Sequence, residues 1–496
     1  MSELRTVVIF GAGGDLTRRL LLPGLATSLA AGVPEHGITL IGSGLDERED
    51  FAAVVREAFA GELDEDQLAL PAVRHTLDAA RWITADATDP DHLAALLDEV
   101  EGPLGLYFAL PPSVTMASCE ALSRVHDAGR LPRDTVLVLE KPFGTDLHSA
   151  RALNALLAGF VPEERIFRVD HFLGLPGVLG FVGLRFANRI LEPLWNRDHI
   201  ERIEIVFDEV LGLEGRAGFY EATGAARDMI QSHLLQVMAL VMMDPPTRFD
   251  GVEIPANTAH ILRAARLWSR GASAEGGEDD RTSGKNADGD ARPLAELPDG
   301  TPAVVRGRYT AGTVDGRTMP SYVDEEGVDP ARETETFAQV VVEVDSWRWN
   351  GVPVVLRSGK AIGSPRQEIA VVFRRPPHDY EQFPSSGPQP PDVLRVGFED
   401  ERIDLELNAG GPFDSRGMTR TVLSAELPEA GLTAYGSVLR WVLEDTTAFT
   451  VRGDGAEEGW RILAQIAAAY ASGNVPLQDY EAGSAGPASA GLAGTP

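Results

Sequence analysis

The strongest constraint on the fold is a short junction near the start of the chain. Thr6 to Phe10 (TVVIF) is an apolar run of strand length that stops at Gly11-Ala12-Gly13-Gly14-Asp15-Leu16, and a leucine-rich run with Pro23 inside it follows from Leu20 to Leu29. A strand that turns on glycines into a helix lets backbone approach a ligand closely and aims N–H groups at it. This is the layout that receives a dinucleotide pyrophosphate. The sixth position of the expected G-x-G-x-x-G pattern is Leu16, so the match is incomplete. Taken alone, the turn also fits a strand–helix connection that binds nothing. Gly11, Gly13, Gly14, Asp15 and Leu16 are the first candidates for coenzyme contact.

The unit then repeats. A second strand, Ile38 to Ile41, ends at Gly42-Ser43-Gly44-Leu45-Asp46. An acid at this strand's end bonds a ribose 2′-hydroxyl, whereas an arginine favours a 2′-phosphate. Asp46 and Arg48 are both present, so NAD and NADP both stay open. Strand-like runs at Trp82 to Thr84, Leu104 to Leu110 and Val136 to Leu139 alternate with helical patterns, which predicts a parallel sheet with helices on both faces. Two of these runs end in punctuation expected at the ligand edge: Leu110-Pro111-Pro112, and Glu140-Lys141-Pro142-Phe143-Gly144.

Later strands read differently. Ile200 to Phe207 alternates apolar and polar residues before Asp208 and Glu209, and further runs occur at Phe337 to Val344, Val354 to Arg357, Glu368 to Phe373 and Arg402 to Leu407. Such a set predicts a broad mixed or antiparallel sheet. The Asn350-Gly351 step between two of the runs reads as a hairpin turn. The expected fold class is therefore α/β plus α+β. A Rossmann-like coenzyme domain (1–175) precedes a larger α+β domain (176–480) for substrate binding and dimerisation, and a frayed small-residue tail (481–496) ends the chain. Gly271 to Arg292 is polar, acidic and glycine-rich and reads as a solvated loop.

Charge narrows the partners. The chain carries 44 basic and 75 acidic side chains, a net charge of −31, which disfavours nucleic acid and anionic membrane surfaces as partners. Only three of the basic residues are lysines, Lys141, Lys285 and Lys360. Where charge alone is needed this chain uses arginine, so Lys141 and Lys360 at strand ends point to sites that need a compact ammonium. The one cysteine, Cys119, excludes an internal disulfide and reads as core filler, which makes a cytoplasmic location the expectation. No signal-peptide pattern precedes Thr6. The apolar run Leu234 to Met243 is too short to span a bilayer and contains Gln236. No metal is expected.

Two stretches offer acid–base chemistry. Arg168-Val169-Asp170-His171-Phe172-Leu173-Gly174 sets an acid beside an imidazole where an extended run ends. Arg227-Asp228-Met229-Ile230-Gln231-Ser232-His233 opens a helix that is apolar almost all round, so His233 reads either as a satisfied core residue or as a general base.

In combination these stretches resemble the glucose-6-phosphate dehydrogenase family over nearly the whole chain. The resemblance rests on GAGGDLTRRLLLP (Gly11 to Pro23), EKPFG (Glu140 to Gly144), RVDHFLG, EGRAGFYEATGAARDMIQSHLLQ (Glu214 to Gln236), PSYVDEEGVDP (Pro320 to Pro330), WRWNGVPVVLRSGK (Trp347 to Lys360) and QDYEAGSAGP (Gln478 to Pro487). It implies oxidation of the anomeric hydroxyl of glucose 6-phosphate, or of a close relative, with NADP or NAD as coenzyme. It also implies a homodimer or homotetramer. His233 then matches the general base and Asp170 its orienting carboxylate. Lys141, Glu209, Asp228 and Lys360 match sugar- or coenzyme-contacting positions, and His171 a phosphate-binding one. Pro111 joins the coenzyme set.

The departures from the family pattern are specific. Its usual DHYLGK is DHFLGL here, so Phe172 and Leu175 replace a tyrosine and a lysine that touch the phosphate. Leu20 stands where a lysine is usual, and Leu45 where many members have an arginine for the 2′-phosphate. Arg185 and Arg189 are the nearest arginines that would rebuild a phosphate clamp. Two alternatives stay open: a dehydrogenase of an unphosphorylated or differently substituted sugar, and a non-catalytic nucleotide-binding paralogue.

Overall fold

The computed structural model describes residues 4–213, 215, 217–269, 296–297, 299–378, 389–411, 417–428 and 431–491. The polar tract Gly271 to Arg292 lies outside them. The chain forms two compact units. The first gathers Met1–Leu179, Met243–His260 and Glu429–Trp460, and the second Gly180–Met242, Ile261–Pro428 and Arg461–Pro496.

The first unit is built on six parallel strands: β1 (Thr6–Phe10), β2 (Thr39–Gly44), β3 (Arg81–Thr84), β4 (Leu104–Phe108), β5 (Val136–Glu140) and β6 (Ile166–Val169). Their order in the sheet is β3-β2-β1-β4-β5-β6. Strands β1 and β4 are buried along their whole length, which explains why they read as unbroken apolar runs. The order reverses between β1 and β4, so a crevice opens at their carboxyl ends, where doubly wound sheets bind ligands.

Two distant segments complete this unit. The helix Ala434–Leu443 is capped by Thr433, whose hydroxyl accepts the Gly436 N–H at 3.0 Å. It crosses the helix Leu22–Ala30 glycine to glycine: a Cβ on Gly24 would lie 2.8 Å from the Gly436 nitrogen. Trp460 donates its indole N–H to the Phe143 carbonyl at 2.8 Å, pinning the EKPFG turn.

The second unit carries β7 (Ile200–Asp208), β8 (Ala265–Leu267), β9 (Val304–Thr310), a small ribbon of β10 (Gly312–Val314) and β11 (Arg317–Met319), then β12 (Phe337–Val344), β13 (Pro353–Gly359), β14 (Gln367–Phe373), β15 (Val393–Gly397), β16 (Arg402–Gly410), β17 (Met418–Glu426) and β18 (Leu477–Glu481). All but the ribbon form one ten-stranded mixed sheet, in the order β17-β16-β15-β14-β7-β13-β12-β9-β18, with β8 on β12. β12 and β13 pair antiparallel across the Asn350-Gly351 turn, as the sequence predicts. The short polar strand β18 has no apolar pattern that marks it in the sequence.

After the turn that carries His171 comes the helix Pro176–Phe186. The chain then leaves the helix, and Asn188 donates its side-chain amide back to the Leu184 carbonyl at 2.8 Å. One expectation needs correction: the tail is not frayed over residues 482–491. Gly483 donates its N–H to Ala361 at 2.8 Å, and Arg357 reaches the Ala485 carbonyl at 2.8 Å. Small residues here permit close backbone packing: a Cβ on Gly483 would lie 2.2 Å from the Thr313 carbonyl oxygen.

Candidate active site

In the first unit, Asp170 follows β6 and Lys141 follows β5. Glu140 and Val169 are register partners, so Lys141 and Asp170 leave adjacent strands side by side. Asp170 is buried and its Oδ1 accepts the Phe172 N–H at 3.0 Å, which starts the turn His171–Gly174. Burial pushes the Asp170 carboxyl up to about 6, against the opposing pull of His171, the Phe172 N–H and Lys141.

Beside it Glu140 is pushed up to about 7, again chiefly by burial. Hydrogen bonds from Tyr107 and Tyr435 and the charge of Lys141 pull the other way, while Asp170 adds to the rise. Tyr107, wholly buried on β4, donates its hydroxyl to Glu140 Oε1. Tyr435 stacks its ring on His171. Neither tyrosine was singled out by sequence reasoning. Tyr107 reads as one more apolar strand residue, and Tyr435 comes from a helix far along the chain.

Phe172 and Leu175 are both buried, and neither apolar side chain offers a hydrogen bond or a charge to a phosphate. The turn is tight, since a Cβ on Gly174 would sit 2.5 Å from the Ala434 carbonyl oxygen.

The glycine turn is shaped for a coenzyme. Gly11 has φ +78°, and a Cβ there would lie 2.3 Å from the Ala109 carbonyl oxygen, so only glycine fits. Gly14 donates its N–H to Gly11 at 2.9 Å, closing the turn ahead of Asp15 and Leu16. Arg48 lies against this loop: a Cβ on Gly13 would stand 2.9 Å from its Nε and Nη2. Asp46 and Leu45 are exposed nearby in sequence. Across the reversal point, Pro111 precedes the helix Pro112–Asp127 at the end of β4. Cys119 is buried in that helix with its thiol pushed up to about 12 by burial, as fits core filler.

In the second unit, β7 and β13 run parallel, with Asp208 opposite Gly359. Glu209 and Lys360 therefore emerge together, with Lys360 Nζ 2.5 Å from Glu209 Oε2 and 5.3 Å from the centre of the Tyr220 ring. Underneath, Arg357 grips buried Asp208 at 3.0 Å. Tyr480 fixes the turn by donating its hydroxyl to the Lys360 carbonyl at 2.7 Å.

Asp228 and His233 lie on the wide π-type helix Ala226–Leu234, which runs into the buried helix Leu235–Met242. His233 is 1% exposed. Arg185 is equally buried and donates to the Val241 carbonyl at 2.9 Å and to Glu192 at 3.3 Å. It holds the helix end rather than serving a phosphate.

Comparison with known proteins gives these features a family. Residues 8–178 match the model of the glucose-6-phosphate dehydrogenase NAD binding domain, and residues 182–276 and 293–493 that of the C-terminal domain. The chain is 35% identical to the glucose-6-phosphate 1-dehydrogenase of Gluconobacter oxydans (strain 621H) over 494 residues, covering 97% of this chain and 94% of that one. It is 33% identical to the enzyme of the same name from Dickeya dadantii (strain 3937) over 497 residues, with the same coverage. Among solved structures, glucose-6-phosphate 1-dehydrogenase from Mycobacterium avium superposes with a TM-score of 0.79 at 29% identity, covering 99% of this chain and 96% of that one. A glucose-6-phosphate dehydrogenase in complex with its substrate glucose-6-phosphate superposes with a TM-score of 0.80 at 26% identity, covering 98% and 97%. The chain belongs to the glucose-6-phosphate dehydrogenase family.

Proposed function

We propose that this protein oxidises the anomeric C1 hydroxyl of glucose 6-phosphate to the lactone, using NADP or NAD. The observation that carries this reading is the paired strand ends: Lys141 beside buried Asp170 on the family's coenzyme sheet, and Lys360 on Glu209 at the end of its second sheet. Gly11, Gly13, Gly14, Asp15, Leu16 and Pro111 hold the coenzyme, with Arg48 or Asp46 toward the adenosine ribose. The bound coenzyme supplies the acceptor for the hydride that leaves C1. His233 takes the proton of the C1 hydroxyl, so that a carbonyl forms while the ring oxygen stays in place. Asp170 orients the imidazole and balances the charge that it gains. Lys141, Glu209, Asp228 and Lys360 hold sugar hydroxyls, and His171 the phosphate end.

A second reading, a sugar without the phosphate, is favoured by the burial of Phe172, Leu175 and Arg185, none of which offers a phosphate ligand. Retention of Lys141, Asp170, His233 and Lys360 together speaks against a non-catalytic paralogue, since a sensor needs no proton acceptor. Edge strand β17 leaves Val422 and Leu423 about half exposed, which supports pairing with a second copy as a homodimer or homotetramer. No helix among the described residues is long and apolar enough to cross a membrane. The lone buried cysteine is the basis for proposing a cytoplasmic location. The test is His233→Asn: turnover falls roughly 10²- to 10⁴-fold while coenzyme binding persists. Near-normal turnover refutes the assignment.

A further inference from the structure

The segment Thr334-Glu335-Thr336 ties together the parts of the second unit that the proposed chemistry uses. Thr336 accepts the Lys360 N–H through its carbonyl and the Tyr309 N–H through its hydroxyl, each at 3.0 Å. Thr334 donates its hydroxyl to the Glu221 carbonyl at 3.2 Å. Between them, the Glu335 carbonyl accepts the Ala225 N–H at 3.1 Å, and its Oε1 accepts the Ala226 N–H at 3.0 Å. Glu335 is 8% exposed.

Ala225 and Ala226 begin the wide helix that carries Asp228 and His233. The helix closes with i→i+5 bonds, as in the Leu235 N–H to Ile230 carbonyl pair. This winding sets residues five apart about one turn above each other, whereas an α-helix would leave them about 140° apart around the axis. Asp228 and His233 are five apart, so they share a face only while the wide winding is kept. Such winding is rare and is found mostly at functional sites. Within the helix, Ser232 donates to the Asp228 carbonyl at 2.7 Å. Glu335 supplies the anchor at the start.

The site is shaped for that carboxylate. Gly224 has φ +66°, and a Cβ there would lie 2.7 Å from Glu335 Oε1 and 2.9 Å from Oε2. The missing side chain makes room for the carboxylate against the first turn, where the helix dipole and open N–H groups favour negative charge. Burial raises its proton affinity, while the Ala226 N–H and the charges of Arg306 and Arg227 favour the ionised form. Tyr220, Tyr322 and Tyr470 also face it electrostatically.

We infer that Glu335 is a positioning residue for the reaction: its carboxylate anchors the first turn of the wide helix and thereby sets where Asp228 and His233 stand. The inference rests on the reading of His233 as the proton acceptor.

The test compares wild type, Glu335→Ala, Glu335→Gln and His233→Asn in steady-state assays in which glucose 6-phosphate and the coenzyme are each varied with the other at saturation. Glu335→Ala is expected to lower kcat about 10- to 100-fold and raise the sugar KM, with the coenzyme KM unchanged, since misplacement of about 1 Å costs on this scale. Glu335→Gln keeps an oxygen for the Ala226 N–H and restores most of kcat. If the alanine variant does not fold, Glu335→Asp, which keeps the charge but retracts it, is expected to show the same loss. Wild-type kcat and sugar KM in the alanine or aspartate variant, with His233→Asn inactive, overturn the inference alone. A His233→Asn enzyme with normal turnover overturns the reading beneath it.

Discussion

The ring of Tyr435 lies stacked on the imidazole of His171, with centroids 5.1 Å apart and planes 17° apart. The same tyrosine hydrogen-bonds Glu140, which also takes the Tyr107 hydroxyl. His171 is thus backed by Tyr435, which is itself tied to Glu140 and through it to Tyr107. Tyr435→Ala removes the stack, and the KM for glucose 6-phosphate should rise about fivefold, the scale of roughly 1 kcal/mol of lost stacking. Tyr435→Phe keeps the stack and should leave KM within about twofold. Equal KM values for wild type and Tyr435→Ala would show that the stack has no bearing on the substrate.

Glu140 makes the stability of the first unit depend on pH. Its carboxyl is raised from an ordinary 4.5 to about 7 in the fold, so the native state binds the proton more tightly than the unfolded chain. The stabilisation is complete below the unfolded value and is lost as pH rises through about 7. Asp170 acts in the same sense, over the window from 3.8 to about 6. Glu140→Gln should therefore raise Tm relative to wild type at pH 8, with the advantage vanishing toward pH 4. A Tm difference that grows as pH falls would contradict the raised carboxyl.

Asp170 should also appear in kinetics. A carboxylate that orients the base must be ionised, and its carboxyl lies at about 6. We expect kcat/KM to rise with pH through this region. Asp170→Asn should lose roughly 10²- to 10⁴-fold in kcat above this region, the scale of the general-base step it supports, and the gap should narrow below it, where the wild-type carboxyl is itself protonated. An Asp170→Asn enzyme within threefold of wild type would remove the residue from the mechanism.

Coenzyme choice is expected to turn on Arg48. Leu45 is 73% exposed and its apolar side chain cannot pair with a phosphate, whereas the Arg48 guanidinium lies against Gly13. Wild type should accept both coenzymes, with a weaker NADP preference than relatives that carry arginine at position 45. Arg48→Ala should lower the NADP/NAD ratio of kcat/KM about tenfold or more, as loss of a charged hydrogen bond predicts. A strong NADP preference that survives the substitution would refute this.

Much of this arrangement was legible in the sequence, for physical reasons. Parallel strands bury both faces, so β1, β4 and β5 stand out as apolar runs, and Gly11 marks a positive φ that only glycine adopts readily. Lys141 and Lys360 stood out because arginine does the ordinary work elsewhere. The rest depends on packing. Arg185 lies close in sequence to the RVDHFLG stretch, yet the Val241 carbonyl at the end of a buried helix claims it. The wide winding over Ala226–Leu234 has no sequence signature, because its mix of polar residues (Arg227, Asp228, Gln231, Ser232, His233) and apolar ones reads equally well as the first turns of an ordinary α-helix. Tyr435 and Glu335 act through partners brought near only by the fold.

The central claim, a phosphorylated hexose as substrate, is tested most directly by kcat/KM for glucose 6-phosphate against glucose with the wild-type enzyme. Phosphate recognition through His171 predicts a ratio above about 10³, since a site built to bond a charged group rejects the analogue lacking it. A ratio near or below one would contradict it and establish the unphosphorylated sugar as the substrate.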